Sequence, residues 1–198
     1  MEEINIEELK SNPEFKEMVK SLEEEVKSSN SLAKTYQLLD IYLALQEGED
    51  KINELFQKIV DGSFSTIAQK LEKGEKLDLN NPEDWAAARG IYEFAIQKFS
   101  ENDLKSAIEL FLALYHTIED FEVKDAMMVH AAAIDSGYSF EDFFNKLAKI
   151  DESNFENPKS VFTTDFVQPV DILLQMFKDS VSKLKKRLEK LNEANKEE

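Results

Sequence analysis

The 198-residue chain has no cysteine, 5 glycines, 4 prolines, 2 histidines and 1 tryptophan. Without cysteine there is no disulfide framework and no thiolate nucleophile, which fits a reducing compartment; a cytoplasmic protein is expected. Two histidines without cysteine make a poor ligand set, so neither a metal nor a cofactor is expected. The glycines stand singly at 48, 62, 74, 90 and 137, and none builds a phosphate-cradling loop. Few turn formers and no period-two alternation leave helix as the economical choice, and the fold class is read as all-α. Long apolar runs are missing too: the longest, around Leu38 to Leu45 and Ala126 to Ile134, fall far short of the ~20 residues of a membrane span. Basic residues are scarce beside acids, 24 against 41, for a formal net charge of -17. Such a surface repels phosphate backbones and anionic lipid, so no nucleic-acid partner and no stable membrane insertion are expected. The acidic start, Met1-Glu2-Glu3-Ile4-Asn5, lacks the apolar stretch of a secretory signal, and none is expected.

What is present is 42% hydrophobic residues, enough for a packed interior, arranged in helical stripes. The clearest run follows Asn80-Asn81-Pro82, with Asp84 at capping-box distance from Asn81. Trp85, Ala88, Ile91, Tyr92, Ala95, Ile96 and Phe99 recur three and four residues apart on one broad face. Ser100-Glu101-Asn102-Asp103 breaks the pattern, and Asp103 can cap a second helix whose inner face is Leu104, Ala107, Ile108, Phe111, Leu114 and Tyr115. The spacing predicts a helical hairpin.

Residues 1–79 read as an N-terminal helical region. It comprises a frayed start (1–12), a helix from Pro13 to about Ser28 facing inward through Phe15, Met18, Val19, Leu22 and Val26, and a second from Ser31 to about Gln46 ended by Gly48. A third stripe from Ile52 is expected to stop at Asp61-Gly62, with Gly62 as a left-handed cap, before a short helix from Phe64 to Lys73. The polar stretch Glu75 to Asn81 reads as a hinge. Residues 80–150 hold the central hairpin and a further one, Phe121 to Asp135 followed by a partner to Ile150 behind the capping box Ser139-Phe140-Glu141-Asp142. Residues 151–198 read as a long loop stapled by Val161, Phe162, Phe166 and Val167, then one long amphipathic helix from Pro169. Its seam is Phe177, Val181, Leu184, Leu188 and Leu191, and the tail 192–198 is expected to be disordered.

Stacked helical hairpins invite comparison with tetratricopeptide repeats. Ala107 and Phe111 stand at the A-x3-F spacing, preceded by the turn Asn102-Asp103-Leu104. A small residue there lets two helices approach, and the aromatic fills the gap between hairpins. The first half of the pattern is degenerate, with Ile91, Phe94, Ala95 and Lys98 at its positions, Glu119 for the closing proline, and Phe143 for the small residue of the next hairpin. The stretch 82–150 thus resembles a tetratricopeptide-like array. With Lys73-Gly74-Glu75-Lys76-Leu77 ahead of it and Phe111-Leu112-Ala113-Leu114 within it, the chain resembles the small acidic class II chaperones of type III secretion. That resemblance implies a cytosolic chaperone or adaptor holding a protein or peptide client in a concave groove. Its geometry places Tyr92, Ile96, Phe99, Met128 and Ala132 at the groove wall as protein-binding residues; the plain alternative is that all five are core.

No catalytic residues are identified, and the chain is not read as an enzyme. A di-iron bundle's Glu-x-x-His would need an acid at Ala113 or Met127, and a calcium loop from Asp151 would need other residues at Glu156 and Phe162. His116 and His130 read as structural, and Lys183, Lys185, Lys186, Arg187 and Lys190 as a solvated helix face. The rival function is a structural or regulatory helical-bundle subunit that self-associates as a homodimer through its C-terminal helix.

Overall fold

The computed structural model describes residues 6–149 and 158–194. Among them are ten α-helices: α1 (Ile6–Ser11), α2 (Pro13–Ser28), α3 (Leu32–Ala44), α4 (Glu49–Lys73), α5 (Pro82–Ser100), α6 (Leu104–Thr117), α7 (Phe121–Asp135), α8 (Phe140–Lys146), α9 (Val170–Met176) and α10 (Lys178–Ala194). A 3-10 turn spans Pro158–Val161. No strand occurs among the described residues, and two isolated bridges join Leu77 to Ile118 and Ala148 to Phe166. Consecutive helices pack together from α1 to α7, α3 also meets α5, and α4 meets α6, which is the pattern of stacked hairpins. Helices α9 and α10 then cover α7. No helix among the described residues is long and apolar enough to cross a membrane.

The central hairpin forms as its punctuation predicts. Asn81 Oδ1 accepts from the Glu83 and Asp84 amides at 2.9 and 3.2 Å, which satisfies two of the free donors at the start of α5. Asn102 makes the turn in the left-handed region, with φ 62°, and Asp103 caps α6 through the Ser106 amide. Asp84, however, does not close a capping box. Its carboxylate takes the Lys70 ammonium at 2.9 Å and the Asp78 amide at 3.0 Å, pinning the connection between α4 and α5. Leu77 in that connection is fully buried; its amide donates to Thr117 O at 2.7 Å and its carbonyl accepts from Glu119. The expected hinge is therefore a fastened strap, because one leucine and one buried aspartate outweigh the polarity of their neighbours.

Several expected boundaries move. Helix α4 runs unbroken through Gly62, whose added Cβ would lie 2.6 Å from Leu32 Cδ2, so this glycine serves close approach and not termination. Gln46, at φ 54°, takes the left-handed position after α3, while Gly48 is the N-cap of α4. Only Val26 of α2 is fully buried, and Met18, expected inside, is exposed. Helix α1 lies within the stretch expected to fray, and residues 1–5 are outside the described residues. The partner of α7 stops at Lys146, and Ile150 lies outside the described residues, as does 151–157 of the expected loop. The expected final helix is two, α9 and α10, with buried Phe177 between them. Helix α10 continues to Ala194, into the expected disordered tail, of which 195–198 lie outside the described residues. Its seam turns inward: Leu184 is buried, and Val181 and Leu188 pack against the same core, while the Leu191 side chain is outside the described set.

Two apolar clusters share α5. One gathers Val26, Leu32, Tyr36, Leu39 and Ile59 with Ala86 and Ala87; the other gathers Ala88, Ile91, Ala95 and Phe99 with α6 and α7. Packing thus continues without a break across position 79. Helix α4 crosses α5 closely at Gly90, where an added Cβ would overlap Ser63 Oγ and stand 3.0 Å from Ile59 Cγ2. Ser63 Oγ is itself buried with no hydrogen-bond partner among the described residues. Gly90→Ala is expected to lower the unfolding free energy in urea by about 1–3 kcal/mol through overpacking. Adding Ser63→Ala should recover part of that loss, because it removes both the overlap and an unpaired buried hydroxyl.

Candidate polypeptide-binding cleft

Along one side of α5, Trp85, Arg89, Tyr92 and Ile96 follow one another at intervals of four, three and four, so they form one stripe. The N-terminal half of this stripe meets α3. Arg89 lies 4.0 Å from the Tyr36 ring centre and 5.5 Å from that of Trp85, its Nε donates to Glu93 at 2.7 Å, and the Tyr36 hydroxyl donates to the same carboxylate at 2.8 Å. Burial, with Glu93 beside it, pushes the Tyr36 phenol well above its ordinary range. Trp85, Arg89 and Glu93 remain half-buried, so this end of the stripe reaches solvent, and Ile96 at the far end is half-buried as well.

In the C-terminal half Tyr92 faces α7 and is buried. Helix α7 is buried continuously from Ala126 to Ile134, which its alanines permit by letting α6, α9 and α10 come close. His130 projects from it between Phe111 and Phe143, with ring centres 4.7 and 4.6 Å away. Its Nδ1 lies 2.8 Å from Ala126 O and must donate, since a carbonyl only accepts. That assigns Nε2 as the unprotonated nitrogen, 3.5 Å from the Tyr92 hydroxyl, which donates weakly to it. The Tyr92 oxygen in turn accepts the Thr163 amide at 3.0 Å. A single directed chain, Thr163 N–H to Tyr92 O–H to His130 Nε2, therefore crosses the cleft. Burial holds the His130 pKa down at about 4 and raises that of Tyr92.

The residues that fill the cleft come from the chain itself. Segment 158–167 lies across it with Phe162 fully buried, 5.3 Å from Tyr92 between ring centres, and Phe166 5.9 Å from His130. Its ends are tied by Lys159 to Asp120 at 2.5 Å, Lys149 N to Asp165 O at 2.9 Å, and Val167 N to Leu147 O at 2.8 Å. Of the expected staples, Phe162, Phe166 and Val161 pack on the core, whereas Val167 is exposed.

This arrangement changes the standing of the expected wall. Tyr92, Phe99, Met128 and Ala132 are buried, and Ile96 alone is half-buried, so the five do not line an open groove. Phe99 packs on Phe140 and Phe143 of α8, and Met128 and Ala132 belong to the same core. Repeat geometry selects helix faces, but it is blind to a segment 60 or so residues downstream that occupies the space between them. His130 and Thr163, absent from the expected set, are the polar members of the cleft. A lone histidine amid Met and Ala was the available signal for the first; an extended threonine carries none for the second. His130 has both ring nitrogens engaged, and among the described residues no group of three or more His, Asp or Glu side chains is placed to hold a metal.

The depressed His130 pKa makes stability depend on pH. The unfolded chain takes up this proton near pH 6.5 and the folded one only near pH 4, so the contribution is complete above pH 6.5 and is lost progressively as pH falls from 6.5 to 4. Between pH 7 and 4.5 the wild type should lose about 2 kcal/mol more unfolding free energy than His130→Phe, measured by urea titration at both pH values. Comparisons with protein-family models, with curated proteins and with solved structures find no match, so the cleft is interpreted on its own geometry.

Proposed function

We propose that this chain is a protein-binding chaperone or adaptor of the cytosol that holds an extended client segment along the stripe of α5, between α3, α5 and α7. One observation carries the reading: the cleft already holds a non-helical segment of the chain, taking a main-chain amide on Tyr92 and an aromatic side chain on the rings around it. Such contacts require little of the bound sequence beyond an accessible backbone and an aromatic anchor. The stacking of α3 on α5 and of α4 on α6, with Ala107 and Phe111 fully buried, is compatible with the tetratricopeptide-like resemblance. A net charge of -17 favours basic clients and keeps copies of the chain apart. Self-association through the C-terminal helix has less support, because Leu184 of its seam is spent on the internal core and Lys183 and Arg187 pair with Asp135 and Glu109.

Reduced, carboxamidomethylated ribonuclease A, a basic chain that cannot refold, is a suitable client probe. Fluorescence anisotropy should show it binding the full-length protein, and Ile96→Asp should weaken that binding roughly tenfold, the equivalent of about 1.4 kcal/mol, while the far-UV spectrum stays unchanged. Absence of binding, or indifference to Ile96→Asp, would remove the proposal.

A further inference from the structure

We infer that segment 158–167 is an internal occupant of the client site and displays the client's own chemistry: a basic residue, an aromatic three positions later, and a second aromatic four beyond that. The inference rests on the proposed binding function and adds both the class of client and the means of regulation.

The manner in which the segment is held carries the argument. After the 3-10 turn it makes no helix, and beside the Lys159–Asp120 pair it is anchored by hydrogen bonds from and to the main chain at Thr163, Asp165 and Val167. The pairing of Ala148 with Phe166 is antiparallel and isolated, a single bridge at the exposed end of a short extended stretch. Any extended chain can make those bonds, since they use no side chain of the segment. Selectivity is left to three side chains. Phe162 and Phe166 both reach the rings of the cleft. Asp165 and Val167 are exposed. Lys159 supplies the cation, paired with Asp120 at the start of α7. The pattern Lys159-x-x-Phe162-x-x-x-Phe166 therefore uses a negative site and an aromatic site of the cleft together. A client with the same pattern would also be drawn by the net negative charge.

The consequence is competition. A segment tethered within the same chain is present at high effective concentration, so the cleft binds a client with the affinity of its open fraction only. Loosening the segment should raise client affinity, which is the reverse of what loss of an ordinary core residue would do.

A fluorescein-labelled peptide with the sequence of 158–168 (PKSVFTTDFVQ) is the direct probe, titrated against the full chain as wild type, Phe162→Ala and Thr163→Pro. Thr163→Pro removes the amide that Tyr92 accepts and leaves both phenylalanines in place. The wild type should bind the peptide weakly, and each folded variant at least roughly tenfold more tightly. Replacing both phenylalanines of the peptide by alanine should abolish binding, and glutamate for its lysine should weaken it several-fold. Equal affinity in the wild type and both variants overturns the inference. Loss of folding in both variants also overturns it, since an exchangeable occupant must be dispensable to the fold; if Phe162→Ala alone fails to fold, Thr163→Pro decides. Ribonuclease binding that is blocked by Ile96→Asp but unaffected by Phe162→Ala or Thr163→Pro would refute the internal occupant and leave the proposed function standing. Failure of ribonuclease and peptide to bind any form would refute both.

Discussion

Helix α5 must lie inside two apolar clusters at once, and the rest of the fold follows from that constraint. A helix with neighbours on nearly every side can be approached closely only where its own side chains are small. Ala86, Ala87 and Ala88, all fully buried, and Gly90, against Ser63 and Ile59, supply the necessary clearance. The larger residues of α5 are then distributed by direction. Tyr92 and Phe99 enter the C-terminal cluster, and Trp85 and Arg89 face the Tyr36 ring of α3. One helix thereby unites the N-terminal hairpin with the C-terminal half of the chain, and no separate interface is needed between them.

The second organising element is a polar chain inside an aromatic box. An isolated buried imidazole and phenol would each cost desolvation energy, of order 1–3 kcal/mol per unpaired group. Here each supplies the other's partner, and the remaining valences go to backbone: Ala126 O at one end and Thr163 N–H at the other. The arrangement orients the His130 ring, keeps it neutral, and makes Tyr92 an acceptor for the main chain of segment 158–167. A phenylalanine at position 92 could fill the volume but not hold that amide.

Acidity ties the local picture to the global one. Acidic groups of this chain are set where they cap or clamp: Glu83 receives the Leu32 amide at 2.7 Å, Asp84 holds Lys70, and Asp120 receives Lys159. The rest of the excess charge stays at the surface, where it raises the local concentration of cations and opposes self-association. The basic face of α10 is partly used within the fold, Lys183 with Asp135 and Arg187 with Glu109, so it helps to fasten the helix over its neighbours.

Helix type, most helix starts and the central hairpin were determined by the sequence alone, because caps and stripes are local. Asn81, Asp103, Asp120 and Ser139 each act within four residues of their own position, and periodicity marks an inner face without reference to its partner. What each face meets was decided only by tertiary structure. Gly62 looks like a stop until Leu32 is brought against it; Glu75 to Asn81 looks like a hinge until Leu77 meets Thr117; the heptad-like seam of α10 fits a coiled coil or a bundle equally until α7 receives it. The candidate site divides in the same way. Tyr92 and Phe162 could be recognised singly as an inward tyrosine and a stapling phenylalanine, yet their meeting with His130 and Thr163 joins three distant parts of the chain, and no local pattern encodes an encounter of that kind.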